Sequence, residues 1–296
     1  MNTSAIRAGV NLGLFLGLVG ALLGPYVVML IVAPKKRYVI AQAYFKGCLK
    51  LTGLKLTLKG RPDPRAVLFA GNHCSYLDIP VLGAVIGGGV FVAKSEVADW
   101  PLFGFLARIS RTIFISRNSV EAKQQRTLLA ERMNRGSRLI LFPEGTSTDG
   151  SVVKRFKSSL FAALEDVDRD AWVQPVGVVY ARSRDGQPLS QDQRELYTWF
   201  GDMTLAPHLI NVMGMRGCEV EVMFHEPLLA SEFEDRKLLA KTCEHAVAKH
   251  LIETVGKLEE LPPVVSAATE TPASGMISPA LSDDFLVEPA PAIGAR

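Results

Sequence analysis

The sequence lacks the cysteine patterns that mark zinc-binding and disulfide-rich proteins. Its four cysteines are Cys48, Cys74, Cys218 and Cys243, and no two of them form a Cys-x-x-Cys pair. A structural zinc site is therefore not expected. Cysteines this far apart in a chain of 296 residues do not indicate a disulfide framework either. Free thiols in a reducing compartment are the expectation that remains.

Signatures for binding nucleotides and nucleic acids are absent as well. No Gly-x-Gly-x-x-Gly motif or phosphate loop opens a predicted helix, and Gly87-Gly88-Gly89 lacks the lysine that a phosphate loop needs. The formal net charge of +3 is too small to indicate a nucleic-acid partner. A weakly basic chain that also carries an apolar segment fits an anionic bilayer surface better.

Charge is missing from one long segment near the start of the chain. No charged residue lies between Arg7 and Lys35, and a membrane helix needs only about 20 apolar residues. Pro25 lies inside this segment, which therefore forms either one spanning helix or a helical hairpin that enters and leaves one leaflet. Lys35, Lys36 and Arg37 follow, so the positive-inside rule places the rest of the chain on the cytoplasmic side of the inner membrane.

Composition divides the chain into three parts. Residues 1–37 are the expected membrane anchor and 38–260 a folded domain, whereas 261–296 are rich in Pro, Ala and Ser and predict a disordered tail. Segments 119–135 and 235–255 have helical spacing, and short apolar runs between them predict strands. This alternation predicts an α/β fold, a layered mixed sheet flanked by helices. The predicted strands are 54–58, 66–70, 89–93, 112–115, 138–142, 172–180 and 219–224.

A polar segment follows the strand predicted at 66–70. It runs from Gly71 to Asp78 and contains His73, and functional residues often lie just beyond the carboxyl end of such a strand. If Asp78 begins the next helix, the turn brings its carboxylate back to the imidazole. A carboxylate on one ring nitrogen fixes the tautomer and makes the other nitrogen a better base for an alcohol proton. The same spacing also fits a structural histidine and a helix-capping aspartate.

Three further segments place unusual residues at strand ends. The loop Phe142-Pro143-Glu144-Gly145-Thr146-Ser147 is either a polar site loop or a plain turn that Glu144 caps. Arg117 follows another predicted strand, where it either binds an anionic headgroup or lies on the surface. Pro175 marks its strand as an edge or a bulge, which indicates scaffold more than chemistry.

Taken together and in this order, these segments resemble the glycerolipid acyltransferase family typified by lysophosphatidate acyltransferase. That family carries an Asn-His-x4-Asp block, an apolar strand ending in Arg, a Phe-Pro-Glu-Gly-Thr block and an apolar strand with Pro. All four are present between Gly71 and Val178. The resemblance implies His73 as general base and Asp78 as its orienting partner. The residues that it implies for acceptor binding or for shaping the site are Arg117, Glu144, Gly145 and Thr146.

The resemblance also implies a reaction. A fatty acyl chain passes from acyl-CoA or acyl carrier protein to the free hydroxyl of 1-acylglycerol-3-phosphate, which gives phosphatidic acid. Because the thioester is already activated, no metal and no cofactor are expected. The hydroxyl needs a base, which typically contributes ~10²–10⁴ in rate. The developing oxyanion needs donors, which we expect among the backbone N–H groups of residues 72–75.

One position departs from the family pattern. The third block often continues Gly-Thr-Arg, whereas Ser147 follows Gly145-Thr146 here. If that Arg normally meets the acceptor phosphate, this chain needs another cation, and Lys157 is the candidate, although its basic run fits a solvated face equally well. The alternative is another acceptor, because the run 199–203, with His208 nearby, resembles a bacterial branch that includes lyso-ornithine lipid acyltransferases.

Two other functions are weighed against this expectation. Cys74 beside His73 suggests a covalent cysteine enzyme, but adjacent side chains on an extended loop point apart. The non-enzyme alternative is a membrane lipid-binding scaffold, which the intact His73 and Asp78 disfavour. We therefore expect a membrane-anchored acyltransferase whose partners are a lipid acceptor, a thioester donor and an anionic bilayer surface.

Overall fold

The computed structural model describes residues 3–34, 36–116 and 119–256; the predicted tail lies outside these ranges. The charge-free segment forms one helix, α1 (Ala5–Val32), with Pro25 inside it. Of the two alternatives for this segment, the structure therefore has the single helix. Pro25 is followed by Tyr-Val-Val-Met, which contains no turn residue that would reverse the chain. By length and composition, α1 can cross a membrane.

The helix α1 packs along the rest of the protein. Near its start, the Asn11 side-chain amide donates to the Met213 carbonyl at 2.8 Å. Near its end, the Tyr26 hydroxyl donates to the Ile109 carbonyl at 2.9 Å, and Phe15 is buried between these two points. Helix α1 is thus held against the domain at both ends. The predicted boundary between anchor and domain at 37/38 stays a prediction.

Within the described residues, eight strands form one mixed sheet. Seven of them coincide with predicted strands, and the exception has only two residues, too few to show a pattern. The strands are β1 (Lys55–Lys59), β2 (Ala66–Gly71), β3 (Gly89–Lys94), β4 (Ile113–Ile115), β5 (Arg138–Leu141), β6 (Trp172–Ser183), β7 (Cys218–Phe224) and β8 (Leu228–Leu229).

The order of the strands is β1-β7-β6-β2-β5-β3-β4, with β8 also paired to β6. The pairs of β6 with β7 and with β8 are antiparallel, and the other pairs are parallel. Because β2 and β5 are parallel neighbours, with Ala70 opposite Leu141, their carboxyl ends lie side by side. The loops that follow these two strands therefore meet at the same edge of the sheet.

Helices cover both faces of the sheet, which confirms the predicted α/β architecture. Phe69 of β2 packs on the face that contacts Leu82 and Val212, whereas Val67 packs on the face that contacts Leu129 and Val247. All six residues of β2 are buried, which explains why its sequence is continuously apolar. The remaining helices are α2 (Tyr38–Thr52), α3 (Asp78–Val85), α4 (Phe103–Ile109), α5 (Ala122–Asn134), α6 (Gln191–Glu195), α7 (Leu205–Gly214) and α8 (Arg236–Val255).

Candidate active site

The structure brings His73 and Asp78 into contact. His73 follows β2, and its Nδ1 lies 2.8 Å from Asp78 Oδ2. Asp78 is the first residue of α3 and is fully buried, with 0% exposure, whereas 22% of the His73 side chain is exposed. Since the carboxylate accepts the Nδ1 proton, the Nε2 lone pair is the one that can take a proton from a substrate.

Further donors fix the Asp78 carboxylate. Its Oδ2 accepts the backbone N–H groups of Cys74 and Ser75, each at 2.9 Å. Its Oδ1 accepts the Tyr180 hydroxyl, also at 2.9 Å. Tyr180 is a site residue that the sequence did not reveal. The available signal was a hydroxyl on the last residue of the apolar run 172–180, where a buried hydroxyl needs a partner.

Glu144 joins the loop after β2 to the loop after β5. It is only 3% exposed, and its Oε1 accepts the His73 backbone N–H at 2.8 Å. Its Oε2 accepts the Lys154 N–H at 2.9 Å. Burial raises the pKa of Glu144 to about 8, while its two backbone donors act in the opposite direction. Because both oxygens contact the backbone, the geometry favours the site-shaping role over acceptor binding.

Gly145 and Lys157 lie side by side. Gly145 has a positive φ of 68°, and a Cβ at this position would lie 2.9 Å from Lys157 Nζ. Glycine is therefore required both by the backbone conformation and by the space that the lysine occupies. The structure thus brings Lys157 to the site, and the half-buried Thr146 follows Gly145 in the same loop. Arg117 lies outside the described residues.

Of the four N–H groups at 72–75, where oxyanion donors were expected, the structure contradicts the expectation for 73, 74 and 75. The N–H groups of Cys74 and Ser75 bind Asp78, and the N–H of His73 binds Glu144. Within the described ranges, the backbone N–H groups of residues 146 and 147 have no hydrogen-bond partner. The loop after β5, which Glu144 joins to the His73 backbone, therefore offers candidate donors for a substrate.

Cys74 is enclosed by the same network. It is 2% exposed, and its thiol points at Asp78 Oδ1 from 3.8 Å. Burial, and then the neighbouring carboxylates of Asp78 and Glu144, raise the pKa of the Cys74 thiol. The thiolate is the nucleophilic form. The structure therefore disfavours the covalent cysteine alternative.

The run 199–203 contacts the loop that carries His73. The Trp199 backbone N–H donates to the Cys74 carbonyl at 2.7 Å, and the Trp199 ring packs edge-on against the Tyr76 ring. The Tyr76 hydroxyl lies 3.0 Å from His208 Nδ1. Burial lowers the pKa of His208, which favours a neutral ring. The segment that resembled a bacterial branch of the family thus packs directly on the site.

An apolar cavity lies close to the imidazole. The His73 ring stacks on Phe142 with centroids 4.2 Å apart, and Phe142 in turn stacks on Phe91 at 6.5 Å. Phe91 is part of the wall of a cavity of about 150 Å³. Helices α1, α2, α3, α4 and α7 supply most of the other wall residues. These wall residues include Phe15, Tyr44, Ile79, Phe103 and Leu209.

A histidine held by a buried carboxylate, beside an apolar cavity, is the arrangement expected of an enzyme that deprotonates a hydroxyl of a substrate with an apolar chain. The sequence pattern of the family described as Acyltransferase matches residues 56–179. Lyso-ornithine lipid O-acyltransferase of Rhodobacter capsulatus is 44% identical over 203 residues, which cover 68% of this chain and 71% of that protein. The 1-acyl-sn-glycerol-3-phosphate acyltransferase of Neisseria gonorrhoeae is 30% identical over 218 residues, 72% of this chain and 81% of that protein.

A solved structure also matches. The crystal structure of the 1-acyl-sn-glycerophosphate acyltransferase PlsC from Thermotoga maritima aligns with a TM-score of 0.60 over 86% of this chain and 100% of that chain. At 21% identity, this match shows the fold. The chain belongs to the acyltransferase family, as the ordered blocks predicted, and it is an acyl-transferring enzyme.

Proposed function

We propose that this protein transfers a fatty acyl chain from acyl-CoA or acyl carrier protein to the free hydroxyl of lyso-ornithine lipid. The observation that carries the proposal is the 44% identity to a lyso-ornithine lipid O-acyltransferase, compared with 30% to a 1-acyl-sn-glycerol-3-phosphate acyltransferase. The lysophosphatidate acceptor, which the sequence alone favoured, is supported only at the level of the family and becomes the second candidate.

The charge at the site is compatible with an amino-acid headgroup. Where the family often has an arginine, Ser147 offers a half-buried hydroxyl. The Lys157 ammonium lies beside Gly145 of that loop. Ornithine carries both a carboxylate, which Lys157 can bind, and an ammonium, which a guanidinium at position 147 would repel.

In the proposed reaction, His73 Nε2 removes the proton of the acceptor hydroxyl while Asp78 holds Nδ1–H. The resulting oxygen attacks the thioester carbonyl, and the N–H groups of residues 146 and 147 are the candidate donors to the oxyanion. The tetrahedral intermediate then collapses: the carbon–sulfur bond breaks, and the new carbon–oxygen bond is kept as the ester. The proton held on His73 passes to the departing thiolate, which returns the imidazole to its starting state. No step requires a metal or a cofactor.

The apolar cavity is the proposed place of a fatty acyl chain. Its wall includes Phe91, which the Phe142 ring connects to His73. A chain in this cavity therefore ends close to the base. Phe15 of α1 is also part of the wall, so the helix proposed as an anchor contributes to the substrate site as well.

The proposed location is the inner membrane, with the catalytic domain on the cytoplasmic side. The outer face of α1 is apolar and exposed, as at Val10, Leu14 and Ile31. Lys36 and Arg37 follow the carboxyl end of this helix. Positively charged residues next to a membrane helix tend to stay in the cytoplasm, which supports a cytoplasmic domain. Because α1 is held against the domain, its exposed face and the neighbouring surface of the domain would contact lipid together.

A second acceptor, lysophosphatidate, is equally compatible with the cation at the site. The Lys157 ammonium beside Gly145 can pair with a phosphate as readily as with a carboxylate. The two acceptors are separated by a direct comparison. Purified protein in detergent receives a labelled acyl donor, either acyl-CoA or acyl carrier protein, with lyso-ornithine lipid and lysophosphatidate in parallel reactions.

We expect a kcat/KM at least about tenfold higher for lyso-ornithine lipid, and no product from His73→Ala with either acceptor. Faster acylation of lysophosphatidate would replace the first candidate by the second. Activity of His73→Ala equal to that of the parent would contradict the mechanism. No product with any donor and acceptor would favour the non-enzyme scaffold.

A further inference from the structure

Three arginines from different parts of the chain meet near the carboxyl end of α1. Arg37 precedes α2, Arg111 follows α4, and Arg132 lies in the last turn of α5. The Arg132 Nη2 group donates to the Arg111 carbonyl at 3.1 Å. The Tyr26 hydroxyl lies close enough to both Arg37 and Arg111 to interact with them electrostatically. We call these three residues the arginine cluster.

The charge of the arginine cluster is not neutralised by the described part of the protein. Within residues 3–34, 36–116 and 119–256, no carboxylate lies within ion-pair distance of any of its three guanidinium groups. Arg132 Nε is buried and has no hydrogen-bond partner in those ranges. Burial, followed by the charges of Arg111, Arg135 and Arg37, lowers the pKa of Arg132. A site of this kind attracts an anion.

An apolar crevice begins beside the arginine cluster. It runs between α1, α2 and α4, and Tyr26, which faces the cluster, is one of the residues in its wall. Val28, Ile31 and Val32 of helix α1 are apolar and exposed. The other wall residues of the crevice include Val19, Leu22, Ile40, Ala41 and Leu106.

We propose that this place binds one anionic phospholipid, with its phosphate at the arginine cluster and one acyl chain lying along the open crevice. The occupant follows from charge and shape together. A zwitterionic lipid brings its own cation to the cluster, and an acidic protein surface would leave the crevice unfilled. The site rests on the proposed membrane position of α1, and it is separate from the acceptor site at His73.

The position of this lipid has a consequence for the enzyme. The crevice and the apolar cavity beside His73 share Tyr44, Leu106 and Ser110 in their walls. An acyl chain in the crevice therefore packs against the outer side of the cavity in which the substrate chain is proposed to lie. Bound anionic lipid would stabilise the contact of α1 with α2 and α4, and with it one wall of the cavity.

The test measures lipid binding, so it does not depend on acyl transfer. Delipidated full-length protein in neutral detergent is titrated with phosphatidylglycerol or with phosphatidylcholine of the same acyl chains, and bound lipid is counted by native mass spectrometry. We expect one phosphatidylglycerol to bind at least about tenfold more tightly than phosphatidylcholine, since each neighbouring cation favours an anionic lipid. His73→Ala should bind like the parent, which separates this result from a failure of the proposed reaction.

Charge variants locate the site. The double variant Arg37→Gln/Arg111→Gln should lose the preference for phosphatidylglycerol by about tenfold or more. The matched control Lys237→Gln/Lys241→Gln removes the same charge from exposed positions of α8 and should keep the preference of the parent. Equal binding of both lipids by the parent, or loss of preference in the control, would overturn the proposal.

A second pair of measurements tests the crevice. Ala41→Phe fills part of the crevice without changing the charge. It should weaken the binding of phosphatidylglycerol and leave the binding of glycerol phosphate unchanged. If glycerol phosphate binds the parent as tightly as phosphatidylglycerol does, the arginine cluster is a simple anion site and the proposed lipid site is ruled out. If Arg37→Gln/Arg111→Gln weakens the binding of acyl carrier protein and leaves the preference for phosphatidylglycerol intact, the surface binds a protein instead of a lipid.

Discussion

The two loops at the edge of the sheet use their polar groups differently. In the loop 73–78, three consecutive backbone N–H groups and both oxygens of Asp78 are bonded within the protein. In the loop 145–147, two N–H groups have no partner within the described ranges, and the Lys157 ammonium lies next to the backbone. The first loop is thus fixed by its own hydrogen bonds, whereas the second has N–H groups that, in the proposed mechanism, bind the substrate.

In the proposed mechanism, this difference separates general chemistry from specificity. A base that must act on any hydroxyl needs one fixed geometry, and Asp78 provides it through its contacts with Tyr180 and the backbone. A loop that recognises one headgroup needs groups that bind substrate rather than protein. We therefore expect changes in the first loop to lower the rate for every acceptor and changes in the second to alter the ratio between acceptors.

The largest effect is expected from Asp78→Asn. An amide at this position cannot accept from all the donors that the carboxylate binds, and it no longer selects the tautomer with a free Nε2 lone pair. We expect kcat to fall by about 10²–10⁴ with every acceptor. Steady-state kinetics with lyso-ornithine lipid and lysophosphatidate check this.

Tyr180→Phe is the milder companion of this variant. It removes only the donor to Asp78 Oδ1 and preserves the ring that stacks on Tyr197. A loss of about tenfold in kcat, equal for both acceptors, is expected from one lost hydrogen bond to a charged group. If Asp78→Asn instead changed the ratio between acceptors and left kcat intact, the assignment of the first loop to general chemistry would be wrong.

Gly145→Ala addresses the second loop and is expected to have an intermediate effect. A Cβ here strains a backbone with φ of 68° and displaces Lys157 Nζ, which would lie 2.9 Å away. We expect kcat/KM for the acceptor to fall by about tenfold to a hundredfold, mainly through KM, by different factors for the two acceptors.

The control for backbone strain is Gly136→Ala. Gly136 also has a positive φ, of 83°, but a Cβ there meets nothing within 4 Å. Both variants should lose a similar amount of thermal stability, about 1 kcal/mol from the φ strain alone. Only Gly145→Ala should change the kinetics. Equal kinetic losses in both would mean that the effect is general destabilisation and not a change at the site.

The same contrast explains what the sequence could and could not predict. His73 and Asp78 were predictable because their contact depends on a spacing of five residues and on the start of one helix. The sheet was predictable because buried strands keep an apolar run whatever their neighbours are. The acceptor was not, because Ser147 departs from the family pattern and the sequence has no rule for what replaces the missing charge.

Contacts between residues far apart in the sequence were not predictable either. Tyr180 lies 102 residues beyond Asp78, and the Asn72 side chain binds the backbone of Val178, 106 residues away. The packing of α1 on the domain involves a bond between residues 202 apart, at Asn11. No local spacing encodes such pairs, since they depend on the strand order and on which helix covers which face.

Glu144, which joins the two loops, gives the smallest expected effect, and that effect depends on pH. Burial raises the pKa of its carboxyl from the ordinary value of 4.5 to about 8. The folded protein therefore holds this proton more tightly than the unfolded chain does. The resulting stability is fully present below about pH 4.5 and is lost as the pH rises towards about 8.

The Glu144→Gln side chain cannot ionise. Every other titratable group contributes equally to the pH dependence of Tm in the variant and the parent, so the difference between the two Tm values reports Glu144 alone. Between about pH 5 and pH 8, we expect the parent to lose a few degrees relative to the variant. If the bonds from the N–H groups of His73 and Lys154 outweigh burial, the sign reverses and the parent gains as the pH rises, because both donors favour the ionised carboxylate. Thermal unfolding of both proteins across this range decides whether the link between the loops is held by a neutral or a charged group, and hence whether the backbone at His73 is most firmly positioned at low or at high pH.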